Sequence, residues 1–237
     1  MTRPTAVVVD DATAIRQAMP VLLPSLEVVG TFARVETLLE ERPSASLAVL
    51  DLHLANTAQP TARQGVAAVR AVVAAGYRVC VYSHEERRFV LAACLAAGAT
   101  GVVSKAESIE AAQTRFLEVA EGQVVVPQPL IGLMEVLVRR DRLTILSERQ
   151  REVLAGRARG LTYAELSRTL FLSESTLRGH WRDLTHTVSR YLQETAPADI
   201  ERALGLGEGD LLDFWPGAEQ QDADRSGDRS ASWWRLR

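Results

Sequence analysis

The sequence predicts an α/β domain built on a doubly wound, five-stranded parallel sheet, followed by a small all-α domain. Two observations carry the first half. Short β-branched runs alternate with helix-like stretches over the first 120 residues or so, and such alternation predicts parallel strands covered by helices on both faces. The polar residues with the most chemistry also fall at the ends of the runs, where open parallel sheets bind their ligands. A third observation carries the second half: from Leu146 onward, apolar positions recur at helical spacing behind two Ser N-cap signals.

The strands are expected at Ala6–Val9, Glu27–Thr31, Leu47–Leu50, Arg78–Tyr82 and Gly101–Val103. Amphipathic or Ala-rich stretches lie between them: Ala14–Leu23, Arg34–Glu41, Gly65–Ala75, Arg87–Ala97 and Ile109–Glu121. A Pro-containing connector over residues 122–145 carries a helix near Ile131–Arg140. The helical unit then occupies 146–204, and 205–237 reads as an extension ending in a polar, Gly/Ser-rich tail expected to be disordered, with Trp233 and Trp234 able to dock.

Composition narrows the class. An apolar fraction of 47% and a charged fraction of 24% are ordinary for a soluble globular protein. No secretory signal is evident and no apolar run approaches the ~20 residues that span a bilayer, so a cytoplasmic protein without membrane contact is expected. Cys80 and Cys94 make neither a disulfide framework nor a metal cluster and read as buried free thiols. The net charge of −3 conceals an asymmetry: between Leu146 and Gln193 eight Arg face five acids, so this segment is +3 and the remainder −6. A basic module on an acidic body fits a nucleic-acid-binding part joined to a signal-receiving part.

Lys105 is the only lysine; the other strongly basic side chains are arginines. A compact ammonium on a flexible stem reaches a buried oxyanion that a broad guanidinium does not. Asp10, Asp11, Asp51 and Ser83 end three other strands. Singly each is weak: an Asp-Asp pair after a strand is equally a helix N-cap, and Asp51, Ser83 or Lys105 alone reads as a surface residue. Together, on neighbouring strand ends, they can form an acidic, metal-binding phosphoryl site.

The order and spacing of Asp10-Asp11, Asp51, Ser83 and Lys105 resemble the receiver domain of two-component response regulators, over roughly Arg3 to Glu121. The resemblance implies a flavodoxin-like sheet with Asp51 as phosphoacceptor. It implies Mg²⁺ held by Asp10, Asp11, Asp51 and the backbone carbonyl of His53, with Ser83 and Lys105 on the phosphoryl oxygens and a sensor histidine kinase as donor. Hard oxygen ligands suit that ion. A carboxylate attacks phosphorus only where neighbouring negative charge is neutralised.

Three features depart from the receiver pattern. Gly65 follows Asp51 only fourteen residues later, through an inserted loop. Val102 stands where an aromatic switch residue is common, and His84 where a small residue is usual. His53 and His84 also raise a histidine–metal alternative, for which a third ligand is missing.

The second half resembles the LuxR/NarL/FixJ-type effector domain at Leu146, Glu152, Val153, Leu154, Gly160, Leu161, Glu165, Leu166, Leu170, Ser173, Thr176, Leu177, His180 and Leu184. The resemblance implies a recognition helix over Ser173–Leu184. Arg178, Gly179 and Arg182 would face the groove, Thr176 and His180 would contact phosphate, and a short dimerising helix would lie near Thr187–Leu192. Gln150, Ala164 and Trp181 depart from that pattern. The bland alternative is a helical bundle with a solvated arginine face.

The sequence therefore reads as a non-enzymatic, DNA-binding response regulator acting on promoter DNA as a homodimer under control of a kinase. Two rivals stand beside it. One is a phosphorylation-independent transcription factor whose receiver-like domain dimerises or senses a ligand. The other is an Mg²⁺-dependent hydrolase, opposed by His53 at the position where a second catalytic acid would stand.

Overall fold

A computed structural model describes residues 3–140, 142–207 and 209–210. The N-terminal half runs β1 (Thr5–Val9), α1 (Thr13–Leu22), β2 (Glu27–Phe32), α2 (Val35–Glu41), β3 (Leu47–Leu50), α3 (Gly65–Ala74), β4 (Val79–Ser83), α4 (Arg88–Ala96), β5 (Gly101–Ser104) and α5 (Ile109–Ala120). The strands pair in parallel in the order β2-β1-β3-β4-β5. Strand order reverses at β1, so a crevice opens beyond the carboxyl ends of β1 and β3.

The strands show why this sheet must be covered twice. β3 and β4 are buried at every position, as expected of parallel strands with helices on both faces. Alternate side chains divide between the faces. Ala6, Val8, Val49, Tyr82 and Val103 meet Met19 and Leu23 from the α1 side and Phe116 of α5. Val7, Val9, Leu50, Val81 and Val102 meet Val35, Leu38, Val69 and the apolar residues of α4.

The second core does not stop at the sheet. It continues through α6 (Gln128–Arg139) into α7 (Glu148–Ala158), α8 (Tyr163–Leu170), α9 (Glu174–Glu194) and α10 (Pro197–Leu204). α4 is the bridge. Every residue from Val90 to Ala96 is buried, which marks a helix covered all round; the sheet lies on one side and α9 on the other. Ser189 Oγ and Gln193 Nε2 of α9 donate to the carbonyl of Leu95 at 3.3 and 3.5 Å, using an acceptor in the last turn of α4.

Two N-cap expectations hold. Ser147 accepts from Gln150 N in a full capping box, and Ser173 accepts from Thr176 N. Two helix expectations are corrected. α6 starts at Gln128, with Pro129 in its first turn, rather than near Ile131. The recognition segment and the expected dimerising helix at Thr187–Leu192 are one unbroken helix, because no Gly or Pro intervenes between His180 and Pro197. Val188 and Leu192 are buried within the chain rather than exposed for a partner.

The expected boundaries at 121/122 and 145/146 fall between elements. Of the expected tail, residues 211–237, with Trp233 and Trp234, lie outside the described residues. Cys80 and Cys94 are buried and free, and burial pushes both thiols well above their ordinary range. Among the described residues no helix is long and apolar enough to cross a membrane.

Candidate acidic site and nucleic-acid interface

The acidic site is assembled by strand ends. Asp10 and Asp11 follow β1, Asp51 follows β3, Ser83 ends β4 and Lys105 follows β5. Parallel register puts the ends together, and Lys105 N donates to the carbonyl of Ser83 at 2.9 Å. The Lys105 ammonium donates to Asp10 Oδ2 at 2.7 Å and to Asp51 Oδ2 at 2.8 Å. Burial alone would lower its pKa; the hydrogen bonds and charges of Asp10 and Asp51 outweigh it and hold Lys105 above its ordinary value.

The other oxygens of these two acids are occupied by backbone. Asp51 Oδ1 accepts from Leu52 N at 2.7 Å and Asp10 Oδ1 from Ala12 N at 2.9 Å. The helix N-cap alternative for the acid pair does not hold: the N-cap of α1 is Ala12, without a side-chain cap. Arg16, which no motif singles out, donates Nη1 to the carbonyls of both Asp10 and Asp11 at 2.6 and 2.7 Å. It fixes the loop bearing the acids from the α1 side.

Asp10, Asp11 and Asp51 offer carboxylate oxygens within 4.8 Å of one another. Three carboxylates against one ammonium leave about two negative charges, and the oxygen donors are hard; both suit a small divalent cation. Neither His53 nor His84 joins this group among the described residues. His53 and His84 are exposed. The His53 ring lies 3.4 Å from Ser83 Oγ and 4.0 Å from Glu85 Oε2. Leu52 and Leu54 on either side of His53 are buried, so the ring faces outward by strand-like alternation. Ser83 itself is 2% exposed.

The inserted loop after Asp51 is ordered by its own side chains. Gln59 Nε2 donates to the carbonyls of Leu54 and Ala33 at 2.7 and 2.9 Å, and Asn56 Nδ2 donates to Asp11 Oδ2 at 2.9 Å. The loop thus places an amide on one of the three acids. No spacing rule predicts that contact, because the insertion has no counterpart in the receiver pattern.

In the C-terminal half, α8 and α9 are joined by the three residues Phe171–Ser173, with Phe171 at φ 54° and 92% exposed. α9 follows with Leu177, Trp181 and Leu184 buried on one side. Thr176, Arg178 and Arg182 are exposed, and Gly179 and His180 are half-buried. A Cβ at Gly179 would meet nothing within 4 Å, so that surface is open to close approach. Arg182 Nε sits 3.4 Å from Asp183. Arg178 lies 4.0 Å from Glu174 and stacks on the Tyr163 ring at 4.4 Å. The departure at Trp181 resolves as packing: the indole is 8% exposed against the bundle.

This geometry, a short helix and the first turns of a long one across a tight turn, with an arginine-bearing face left open, is that of a helix-turn-helix. The family model of bacterial regulatory proteins of the luxR family matches residues 144–186. Residues 144–186 are a LuxR-type helix-turn-helix. The matching family is one of bacterial regulatory proteins.

The chain is 30% identical over 107 residues to the probable transcriptional regulatory protein SgaR of Hyphomicrobium methylovorum. The alignment takes in 45% of this chain and 49% of that protein, so the chain spans about half the length of the curated relative it matches. The solved RcsB response regulator of Salmonella typhimurium is 17% identical, with a TM-score of 0.50 over 87% of this chain and 94% of that one. The signal receiver domain of the putative response regulator NarL from Mycobacterium tuberculosis is 23% identical, with a TM-score of 0.46 over 52% of this chain and 100% of that one. The likeness to RcsB is one of fold: a receiver-type sheet followed by a helix-turn-helix domain.

Proposed function

We propose that this chain is a DNA-binding response regulator, a transcription regulator in which phosphorylation of Asp51 by a sensor histidine kinase modulates binding of α9 to promoter DNA. One observation carries the reading. Lys105, bonded to Asp10 and Asp51, completes an acidic site at the strand ends of a chain that also bears a LuxR-type module.

In this reading Asp51 is the nucleophile. Its oxygen forms the bond to phosphorus as the bond from phosphorus to the donor breaks. Mg²⁺ would be held by Asp10, Asp11, Asp51 and the His53 carbonyl, and when bound it supplies neutralisation of the phosphoryl charge. Lys105 supplies the fixed part of that neutralisation, and Ser83 Oγ donates to a phosphoryl oxygen. The new anion brings nearly two negative charges to Ser83 and Lys105, at the end of the β4 and β5 pair that α4 covers.

On DNA, Arg178 and Arg182 read base edges, Gly179 allows close approach, and Thr176 and His180 contact phosphate. Two copies on two half-sites give such a small module its affinity. The protein acts in the cytoplasm without membrane contact, with boundaries at 1–121, 122–145, 146–204 and 205–237.

The test is a phosphodonor-dependent mass increase of one phosphoryl group with Mg²⁺ present, in wild type and Asp51→Asn, followed by footprinting of both. A shift lost in the variant, with stronger protection of a preferred sequence in phosphorylated wild type, is expected. A protein that neither its donor nor its kinase labels is not a phosphorylated regulator.

One observation favours a second reading, a phosphorylation-independent transcription factor. The Asn56 amide occupies an oxygen of Asp11, one of the acids needed for the metal. In that case a Mg²⁺ titration is flat, and Asp51→Asn leaves DNA binding unchanged.

A further inference from the structure

A cleft of about 860 Å³ lies between the sheet domain, the connector and the helix-turn-helix. Its size is that of small-molecule sites, roughly 300–1,000 Å³, which favour domain interfaces. Val102 and Leu91 contribute apolar wall from the sheet side, Val126 and Ile131 from the connector, and Tyr163 and Trp181 from the helical side.

Charges of both signs line the cleft, and both act on Tyr163: Arg157, Arg178 and Arg115 on one side and Glu118 on the other. Arg157 and Arg178 stand at the helical end, on one tyrosine: their guanidinium carbons lie 4.9 and 4.4 Å from the Tyr163 ring centre. Arg157 also lies 5.6 Å from the Trp181 ring. Arg157 Nη1 donates to the carbonyl of Leu161 at 2.8 Å, while its buried Nε has no hydrogen-bond partner. Among the described residues Arg157 has no carboxylate partner. A half-buried guanidinium whose Nε is buried without a partner, and which otherwise meets only rings and a carbonyl, is stabilised when an anion completes it.

We propose that this cleft binds a small amphipathic organic acid, with its ring or alicyclic body against Val102, Val126 and Trp181 and its anionic group on Arg157 and Arg178. Tyr163 adds a donor. Burial outweighs the neighbouring arginines and holds its phenol protonated above the ordinary range. The acids that line the cleft, Glu107, Glu118 and Glu121 among them, repel a second negative group and so favour monoanions. Arg178 belongs both to this wall and to the recognition helix.

The test needs neither DNA nor phosphodonor, so its outcome is independent of the regulator reading. The full chain is titrated with anilinonaphthalene sulfonate, an aromatic monoanion, by fluorescence and calorimetry. Saturable binding at one site per chain is expected, weakened at least tenfold in Arg157→Gln (a factor of ten being about 1.4 kcal/mol). Val126→Trp fills the cleft from the half-buried connector without altering charge, and is expected to abolish binding while melting stays cooperative. This second variant keeps the test valid if Arg157→Gln fails to fold. Absence of saturable binding overturns the proposal, and so does binding unchanged in Val126→Trp. Full displacement by stoichiometric sulfate also overturns it, by showing a bare anion subsite.

Discussion

The Lys105 ammonium lies 2.8 Å from Asp51 and 2.7 Å from Asp10 at once; one point charge holds together two carboxylates from different strands. Lys105→Met leaves both acids buried and unpaired. Breaking a buried ion pair costs about 3–5 kcal/mol. The expected result is a large fall in the denaturant midpoint in chelator. Added Mg²⁺ partly restores it, since a cation bound only to the folded state stabilises by mass action. Lys105→Arg, whose planar fork is too broad for two oxygens on one point, is expected to lose phosphodonor labelling as well. A Lys105→Met protein as stable as wild type in chelator would contradict the pairing.

Glu85 offers a pH signature next to this site. Burial on its own would raise its carboxyl, but the hydrogen bonds from Arg87, at 2.8, 2.9 and 2.6 Å, hold it below the ordinary 4.5. A folded pKa below the unfolded one means the unfolded chain binds the proton more readily. Its contribution is present above the unfolded value and is lost as pH falls through the folded one. Glu85→Gln is therefore expected to reduce the acid loss of stability below pH 4.5, read as a flatter denaturant midpoint against pH. An identical acid limb in wild type and variant would show that Glu85 is not held by Arg87 in solution.

Gly156 sets the angle between α7 and α8. A Cβ there would meet Leu166 Cδ2 closer than carbon atoms approach. Alanine gains about 1 kcal/mol of helix propensity over glycine, but overpacking a tight core costs about 1–3 kcal/mol. The clash wins, because Leu166 is itself 1% exposed and has nowhere to move. Gly156→Ala is expected to lower the melting temperature and weaken DNA binding at all sequences alike. A raised melting temperature would show that α8 can shift.

Recognition by α9 divides by chemistry. Losing one bidentate arginine–guanine pair costs about 1–3 kcal/mol of discrimination. Arg182→Ala is expected to lower affinity for the preferred site by that amount and to relax the preference at one base pair. Losing a phosphate contact weakens all sequences evenly. Competition footprinting against random DNA separates the two. A uniform loss in Arg182→Ala would place that guanidinium on phosphate instead.

Much of this was legible in the sequence, for physical reasons that also mark where legibility ends. Valine-rich runs such as Val7–Val9 and Leu47–Leu50 admit few conformations besides buried parallel strand, so the sheet and its polar strand ends follow from pattern. Ser147 and Ser173 announce helix starts through local hydrogen bonds. What pattern could not show was contact between segments distant in sequence. The amide of Asn56 on Asp11 depends on the path of an inserted loop. Arg157 looked like one of many solvated arginines until Tyr163 and Trp181 closed around it. For Thr187–Leu192 the family resemblance points to a separate short helix, whereas the absence of a breaker between His180 and Pro197 favours one long helix.

The C-terminal half of α9 rests on α4, with Ser189 Oγ 3.3 Å from the Leu95 carbonyl. The end of α4 carries the negative pole of its dipole, and the Leu95 carbonyl there also accepts from Gly98 N at 3.0 Å. Ser189→Glu replaces a donor there by an anion, so repulsion and a lost hydrogen bond act together. The two halves share one apolar core, so opening the contact exposes apolar side chains of both while each helix keeps its own backbone hydrogen bonds. Small-angle scattering is expected to show a larger radius of gyration for Ser189→Glu, with unchanged far-ultraviolet circular dichroism. Val188 and Leu192 would then be free to pair with a second copy, and the fraction of dimer is expected to rise with concentration. An unchanged radius would mean that the α4–α9 contact is held by its apolar side chains alone, and Val188→Asp, which places a charge in that contact, would be needed to open it.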